Sequence, residues 1–184
     1  MIKKLLQAAI VAVGSLALGG CPFEQAKTTA PAKPPAADYQ AVVPPSPPAT
    51  NIRGICYTPA DLTTYRSRML QQEFSVGTLQ CQTADGSRAY NDKYAAFISK
   101  FKAELATNSR SLQQLGGRKR FNVDVVVTEM SNRMAQRAPV DREFCSRSLR
   151  ALEWALDPKA TSITLVPPPY DMGPEMNIIP CPAS

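Results

Sequence analysis

From residue 51 onward the apolar positions recur at helical spacing, broken by a few turn signals. Thr58-Pro59-Ala60-Asp61 has the grammar of a helix start: Thr58 at the N-cap, proline in the first turn, and Asp61 three residues on to complete a capping box. Behind it, Leu62, Met69 and Val76 form one line at seven-residue steps. Tyr65, Gln72 and Leu79 form its neighbour, and Leu70, Phe74 and Cys81 widen the stripe. This pattern predicts a buried-face helix of about six turns, with Gln72 in the core or at the edge of the stripe. Asp85-Gly86 then marks a turn. Tyr90, Tyr94, Phe97, Ile98, Phe101, Leu105, Leu112 and Leu115 predict a second helix over residues 87–115, stopped by Gly116-Gly117 in a left-handed cap.

The next stretch, residues 121–138, carries two patterns. Val123, Val125 and Val127 alternate as in a strand, and β-branched residues favour that state. Val123, Val126, Val127, Met130 and Met134 also fit one helix face, which runs longer and ends at Pro139, so helix is the better reading. A fourth helix starts with Asp141 as N-cap, carries Phe144, Cys145, Leu149, Leu152 and Leu156, and stops before Pro158; Trp154 closes the core edge. From residue 159 the chain is proline-punctuated and reads as extended, with Ile163, Leu165 and Val166 adding some apolar cover. The expected fold is therefore all-α, a small up-down-up-down four-helix bundle with an extended C-terminal tail.

Ahead of this domain stand two different segments. Lys3 and Lys4 precede an apolar run from Leu5 to Leu18, too short to span a bilayer, which takes roughly 20 apolar residues. The run ends in Leu18-Gly19-Gly20-Cys21, which resembles the lipobox of bacterial lipoproteins. The resemblance implies a signal peptide over residues 1–20, removal of that peptide, and lipidation of Cys21, with palmitate among its acyl chains. An ordinary secretory signal is the rival, in which Cys21 is incidental. Pro22, rather than aspartate, follows the cysteine, and by the family's sorting rule this favours the outer membrane, facing the periplasm. Two or three acyl chains at ~0.8 kcal/mol per buried methylene give an almost irreversible anchor. Residues 22–50 are rich in proline and alanine and lack the apolar mass to fold. As polyproline II, at ~3.1 Å per residue, they make a tether reaching roughly 80–90 Å.

Four cysteines remain, Cys56, Cys81, Cys145 and Cys181, and an even number in an exported chain reads as two disulfides. Zinc is a poor rival, because the spacing is not CxxC-like and the chain has no histidine. Helix geometry selects among the three connectivities. Cys56 and Cys81 flank a helix and stand roughly 35 Å apart, whereas a disulfide needs Cα atoms within about 7 Å. In an antiparallel bundle the end of the first helix meets the start of the fourth, which pairs Cys81 with Cys145 and leaves Cys56 for Cys181.

Charge and chemistry add mostly exclusions. The formal charge of +6 includes Lys3 and Lys4, and in the tether Lys27 and Lys33 are balanced by Glu24 and Asp38. The remaining excess suits an anionic envelope surface, and without a basic stripe interleaved with aromatics it does not indicate nucleic acid. Arg118-Lys119-Arg120 is the one compact basic run, either a solvated turn at a helix C-terminus or a contact for anionic lipid or glycan. The lack of histidine excludes serine–histidine and cysteine–histidine nucleophile systems. Glu129, Asp141 and Glu143 form the nearest carboxylate cluster, the basis of an alternative reading as an envelope hydrolase. No cofactor motif stands out. Leu70-Gln71-Gln72, Cys81, Tyr90-Asn91 and Phe144-Cys145 are similar to small exported helical proteins of Gram-negative bacteria, over residues 56–156. That group has no settled activity, so the resemblance implies a helical domain and nothing more. The expected function is a non-enzymatic envelope lipoprotein, held by its acylated Cys21, that binds an envelope protein, glycan or anionic lipid, or stabilises an assembly. An inhibitor or immunity-type lipoprotein is the other alternative.

Overall fold

The computed structural model describes residues 48–182. The expected signal peptide, the expected lipidation site Cys21 and the expected tether before residue 48 lie outside the described residues. The domain has five helices: α1 Pro59–Gln80, α2 Asn91–Lys100, α3 Lys102–Lys119, α4 Val123–Arg137 and α5 Phe144–Leu156. Two short strands, β1 Ile55–Tyr57 and β2 Ile178–Pro180, pair in parallel with Ile55 opposite Ile178.

The central helix is α1, and α3, α4, α5 and the C-terminal segment all pack on it. It starts as its sequence dictates. The Thr58 hydroxyl accepts from the Asp61 N–H at 3.2 Å and the Asp61 carboxylate accepts from the Thr58 N–H at 3.2 Å. Leu62, Tyr65, Met69, Leu70, Phe74 and Val76 are buried as the stripe requires. The seven-residue line fails at its far end. A straight α-helix drifts ~20° per heptad, so two heptads beyond Tyr65 the side chain of Leu79 has rotated out and is 54% exposed. Gln72 sits at the stripe edge and accepts a hydrogen bond from the Ser131 hydroxyl at 2.9 Å.

The expected helix over residues 87–115 is instead two helices, so five helices replace the four-helix up-down-up-down count. Phe101 leaves helical geometry with φ −106° and ψ 17°, without a glycine or proline to mark it. At this break the Lys100 ammonium donates to the carbonyls of Ala155 and Asp157 at 2.8 and 2.7 Å, tying the end of α2 to the C-terminus of α5. The stop at Gly116-Gly117 is also corrected. Helix α3 continues to Lys119, and the left-handed cap falls on Arg120 with φ 57°. Gly116 serves close approach instead: a Cβ there would stand 2.7 Å from Cγ2 of Val123 and 3.1 Å from the carbonyl oxygen of Phe121.

Residues 121–138 resolve as helix, started by an Asn122 cap whose side-chain oxygen accepts from the N–H groups of Asp124 and Val125. Helix α5 begins at Phe144, later than expected. Asp141 lies in the preceding turn and accepts from the Glu143 N–H at 2.9 Å. Both disulfides join the expected partners, Cys81–Cys145 with Cα atoms 5.7 Å apart and Cys56–Cys181 at 4.5 Å.

The largest correction is the C-terminal segment. It is not an extended tail beside the helices: Ile163, Val166, Tyr170, Met172, Met176 and Ile178 are core residues, while Leu165 faces solvent. Two single-turn 3-10 helices, Ile163–Leu165 and Pro174–Met176, and strand β2 order it. Ala49 and Ile52, just ahead of β1, are buried against it.

The two adjacent glycines of α3 make opposite predictions. Gly117 has open space around its Cα, so Gly117→Ala stabilises by about 0.5–1 kcal/mol through helix propensity. Gly116→Ala forces Val123 or the backbone of Phe121 to shift and destabilises by about 1–3 kcal/mol. Urea denaturation with disulfides intact checks both. Equal midpoints for the two variants contradict this packing.

Candidate functional site

The charged side chains gathered inside the domain lie where the C-terminal segment crosses α1, α4 and α5. Helix α4 presents Arg133 and Arg137 one turn apart, on one face. Both guanidiniums reach Glu175, at 3.2 and 2.8 Å, and Arg133 also pairs with Glu129 at 2.7 Å. The Arg137 guanidinium stands over the Tyr170 ring, 5.0 Å from its centroid, and the ring stacks on Phe144 at 5.5 Å. The Tyr170 hydroxyl donates to Asp141 at 2.6 Å, and the same carboxylate oxygen takes Arg147 at 2.9 Å.

Beneath this layer lies Glu73 of α1, wholly buried. One carboxylate oxygen accepts from the Ser148 hydroxyl of α5 at 2.8 Å. Gly77, one turn on, brings the two helices close enough for this bond, since a Cβ there would lie 3.5 Å from Cβ of Ser148. The other oxygen, Oε2, has no hydrogen-bond partner among the described residues, and neither has Nη1 of Arg137. Burial pushes the Glu73 carboxyl up to about 8, against the pull of the Ser148 hydroxyl, Arg137, the Tyr170 backbone and Arg147. At neutral pH the group is therefore largely protonated. Burial also raises Asp141, but the Tyr170 hydroxyl, the Glu143 N–H and Arg147 outweigh it and hold the carboxyl below its ordinary range. Burial and the bond to Asp141 drive the Tyr170 hydroxyl well above a free tyrosine.

An open cleft of about 300 Å³ lies between the N-terminal half of α1 and the C-terminal segment. Thr63, Arg66 and Ser67 line one side, and Thr164, Pro168 and Asp171 are among the residues on the other. Arg66 pairs with Asp171 at 3.0 Å on its rim, both side chains partly exposed. The same two residues border a smaller, more apolar cavity of about 90 Å³ against Leu62, Met69 and Ile178.

The residues singled out from sequence do not converge on this cleft. Glu129 is spent on Arg133, Asp141 on Tyr170 and Arg147, and Glu143 accepts from the Ser146 hydroxyl at 2.7 Å. In the basic run Arg118 pairs with Asp61 at 3.0 Å. Lys119 donates to the carbonyl of Cys56 at 3.1 Å and stands over the Tyr57 ring, and Arg120 is exposed at the helix cap. Glu73 and Ser148 are not among the residues the sequence pattern singles out. The signal was there, because Glu73 lies between Met69 and Val76 on the buried line of α1, where a carboxylate is out of place. Among the described residues no cluster of histidine, cysteine, aspartate or glutamate forms a metal site, and no helix is long and apolar enough to cross a membrane. No family model matches the chain, no curated protein matches it, and no solved structure matches it.

Glu73 sets a pH dependence. In the unfolded chain its carboxyl ionises in the ordinary glutamate range, whereas in the fold it stays protonated to about 8. The stability it permits is complete below the unfolded value and is lost as pH rises toward about 8. Glu73→Gln keeps an acceptor for Ser148 and cannot titrate. The expected outcome is that the variant gains thermal stability relative to wild type as pH goes from 5 to 8. Melting curves across that range check it, and a constant difference contradicts the buried position.

Proposed function

We propose that the chain is a lipid-anchored envelope lipoprotein whose domain binds a partner or stabilises an assembly and catalyses no reaction. One observation carries the non-catalytic half of this reading. The domain's concentrated charge, Glu175 with Arg133 and Arg137 and Asp141 with Arg147 and Tyr170, is buried or half-buried and taken up in fastening one segment to the helices, and Glu73 beneath it is enclosed and bonded to Ser148. An active site needs a nucleophile or a proton-transfer group converging on an accessible pocket. The open cleft instead offers hydroxyls, aliphatic carbon and one ion pair.

Leu18-Gly19-Gly20-Cys21 supports the anchored half, with Pro22 favouring the periplasmic face of the outer membrane. The two disulfides suit an oxidising compartment. They also suit service at the end of a tether, since each closes a long loop. Cys81–Cys145 spans 64 residues and contributes ~4 kcal/mol by the chain-entropy estimate.

Replacing Cys21 by serine tests the anchor. The Cys21→Ser protein is expected to remain unprocessed or to leave the membrane fraction, and to lose palmitate labelling. A variant that is processed, sediments with membranes and still takes up palmitate overturns the reading. Cross-linking of the wild-type protein in its own envelope then tests the binding role, which fails if no adduct forms above the level of the Cys21→Ser control.

A further inference from the structure

We propose that the Cys56–Cys181 bond is an exchange site for a small thiol that carries a negative charge, while Cys81–Cys145 stays closed. Burial, charge and chain position select that bond and that thiol, and none of them depends on the lipid anchor.

The two disulfides stand in different surroundings. Cys81 is a core residue, 2% exposed, and the half-buried Cys145 packs against the same core. Cys56 and Cys181 are both half-buried and lie outside that core cluster. Around Cys181 the chain is open: Ile179 is 45% exposed, and Pro180 and Pro182 are exposed. An attacking thiolate has to reach a sulfur, so access separates the two bonds.

Charge selects the attacking thiol. The Lys119 ammonium donates to the Cys56 carbonyl at 3.1 Å and lies over the Tyr57 ring. Arg53 is exposed and close enough for its charge to act on the Tyr57 hydroxyl. Arg118 and Arg120 flank Lys119, and both are exposed. Of the carboxylates at this corner, Asp61 is paired with Arg118 and Asp124 sits in the first turn of α4. Cations therefore outnumber carboxylates around the bond, and the field draws an anionic thiol and repels a cationic one.

The same cations decide which sulfur is attacked. Cys56 lies within β1, between half-buried Ile55 and buried Tyr57, whereas Cys181 follows β2 on open chain. The incoming thiolate therefore bonds to Sγ of Cys181. The Cys56–Cys181 bond breaks, and its electron pair leaves on Sγ of Cys56 as a thiolate, which the Lys119 charge stabilises. A second molecule of the thiol then attacks the mixed disulfide, frees Cys181 and departs as its own disulfide, so two electrons pass to the protein. Without that second attack, the Cys56 thiolate re-forms the bond and expels the thiol. Opening is local, because Met176 and Ile178 stay in the core and Glu175 stays between Arg133 and Arg137.

The oxidised full chain tests this, with mercaptoethanesulfonate, mercaptoethanol and cysteamine as anionic, neutral and cationic probes. Each rate is divided by that thiol's rate on hydroxyethyl disulfide, a neutral reference, which removes differences in thiol acidity. Acid quenching, alkylation with N-ethylmaleimide and peptide mapping identify the sulfurs. Alkylated Cys56 and a thiol adduct on Cys181 are expected first, with Cys81 and Cys145 at least about tenfold slower. The corrected rate is expected to fall about fivefold from mercaptoethanesulfonate to cysteamine at low salt, and the difference to close at about 1 M salt. Lys119→Gln and Arg53→Gln are each expected to reduce that preference about twofold and to leave Cys81–Cys145 unaffected. Arg53→Gln changes an exposed side chain, so it reads the field without disturbing the Cys56 backbone. The proposal is overturned if Cys81–Cys145 opens first or equally fast, or if the adduct sits on Cys56. It is equally overturned if cysteamine matches mercaptoethanesulfonate, or if Arg53→Gln leaves the preference unchanged.

Discussion

Glu175 held between Arg133 and Arg137 is the contact on which the rest of this domain depends. The segment that carries it, residues 158–182, has only two single helical turns and a three-residue strand to satisfy its backbone. Yet that segment buries Tyr170, Met172, Met176 and Ile178, at roughly 1.5–3 kcal/mol for each large apolar side chain. Apolar burial supplies the energy but does not fix the register of an irregular chain. The ion triad does, because a buried carboxylate displaced from both arginines would lose several kcal/mol, whereas a buried pair compared with apolar packing gains little. The clasp therefore acts as a locator. Burial and the Cys56–Cys181 bond supply the hold.

The locator also reaches the front of the domain. The Ala49 N–H donates to the Glu175 carbonyl at 2.8 Å, and the Asn177 side chain donates to the carbonyls of Ala49 and Ile52, both at 2.8 Å. Asn177 adopts a left-handed backbone, φ 56°, a conformation its short polar side chain tolerates better than most. The chain just ahead of β1 is thus fastened to the C-terminal segment before it meets any helix.

Much of this was legible residue by residue. The Thr58 cap, the burial of Leu62 to Val76 and the helix over residues 121–138 follow from spacing, and both disulfides join the expected partners although the expected helix over residues 87–115 is two. Other features left no local mark. The break at Phe101 has no glycine or proline, and what accompanies it is distant, the Lys100 ammonium capping α5. Gly116 looked like a stop signal because glycine also serves close packing, and only the approach of Val123 distinguishes the two uses. The C-terminal segment lacks periodicity because it is ordered by side chains from four helices. Glu104 of α3 accepts from the Ser162 hydroxyl and the Ile163 N–H, α4 supplies Arg133 and Arg137, α5 supplies Arg147, and α1 supplies Arg66.

The same irregularity that hid this segment creates the cleft. A regular element laid on α1 would cover it evenly, as α3, α4 and α5 do. Pro167-Pro168-Pro169 cannot donate backbone hydrogen bonds, and Pro167 and Pro168 line the cleft opposite Thr63, Arg66 and Ser67. Tyr170 is where the chain is pinned, by Asp141 and Arg147 above and with Glu73 below. Asp171, the next residue, closes the cleft rim with Arg66. The wall of the open site is thus one peptide bond from the buried polar layer. Ionising Glu73 places a charge beneath Tyr170, opposed by Arg137 and Arg147 but without a hydrogen bond to Oε2.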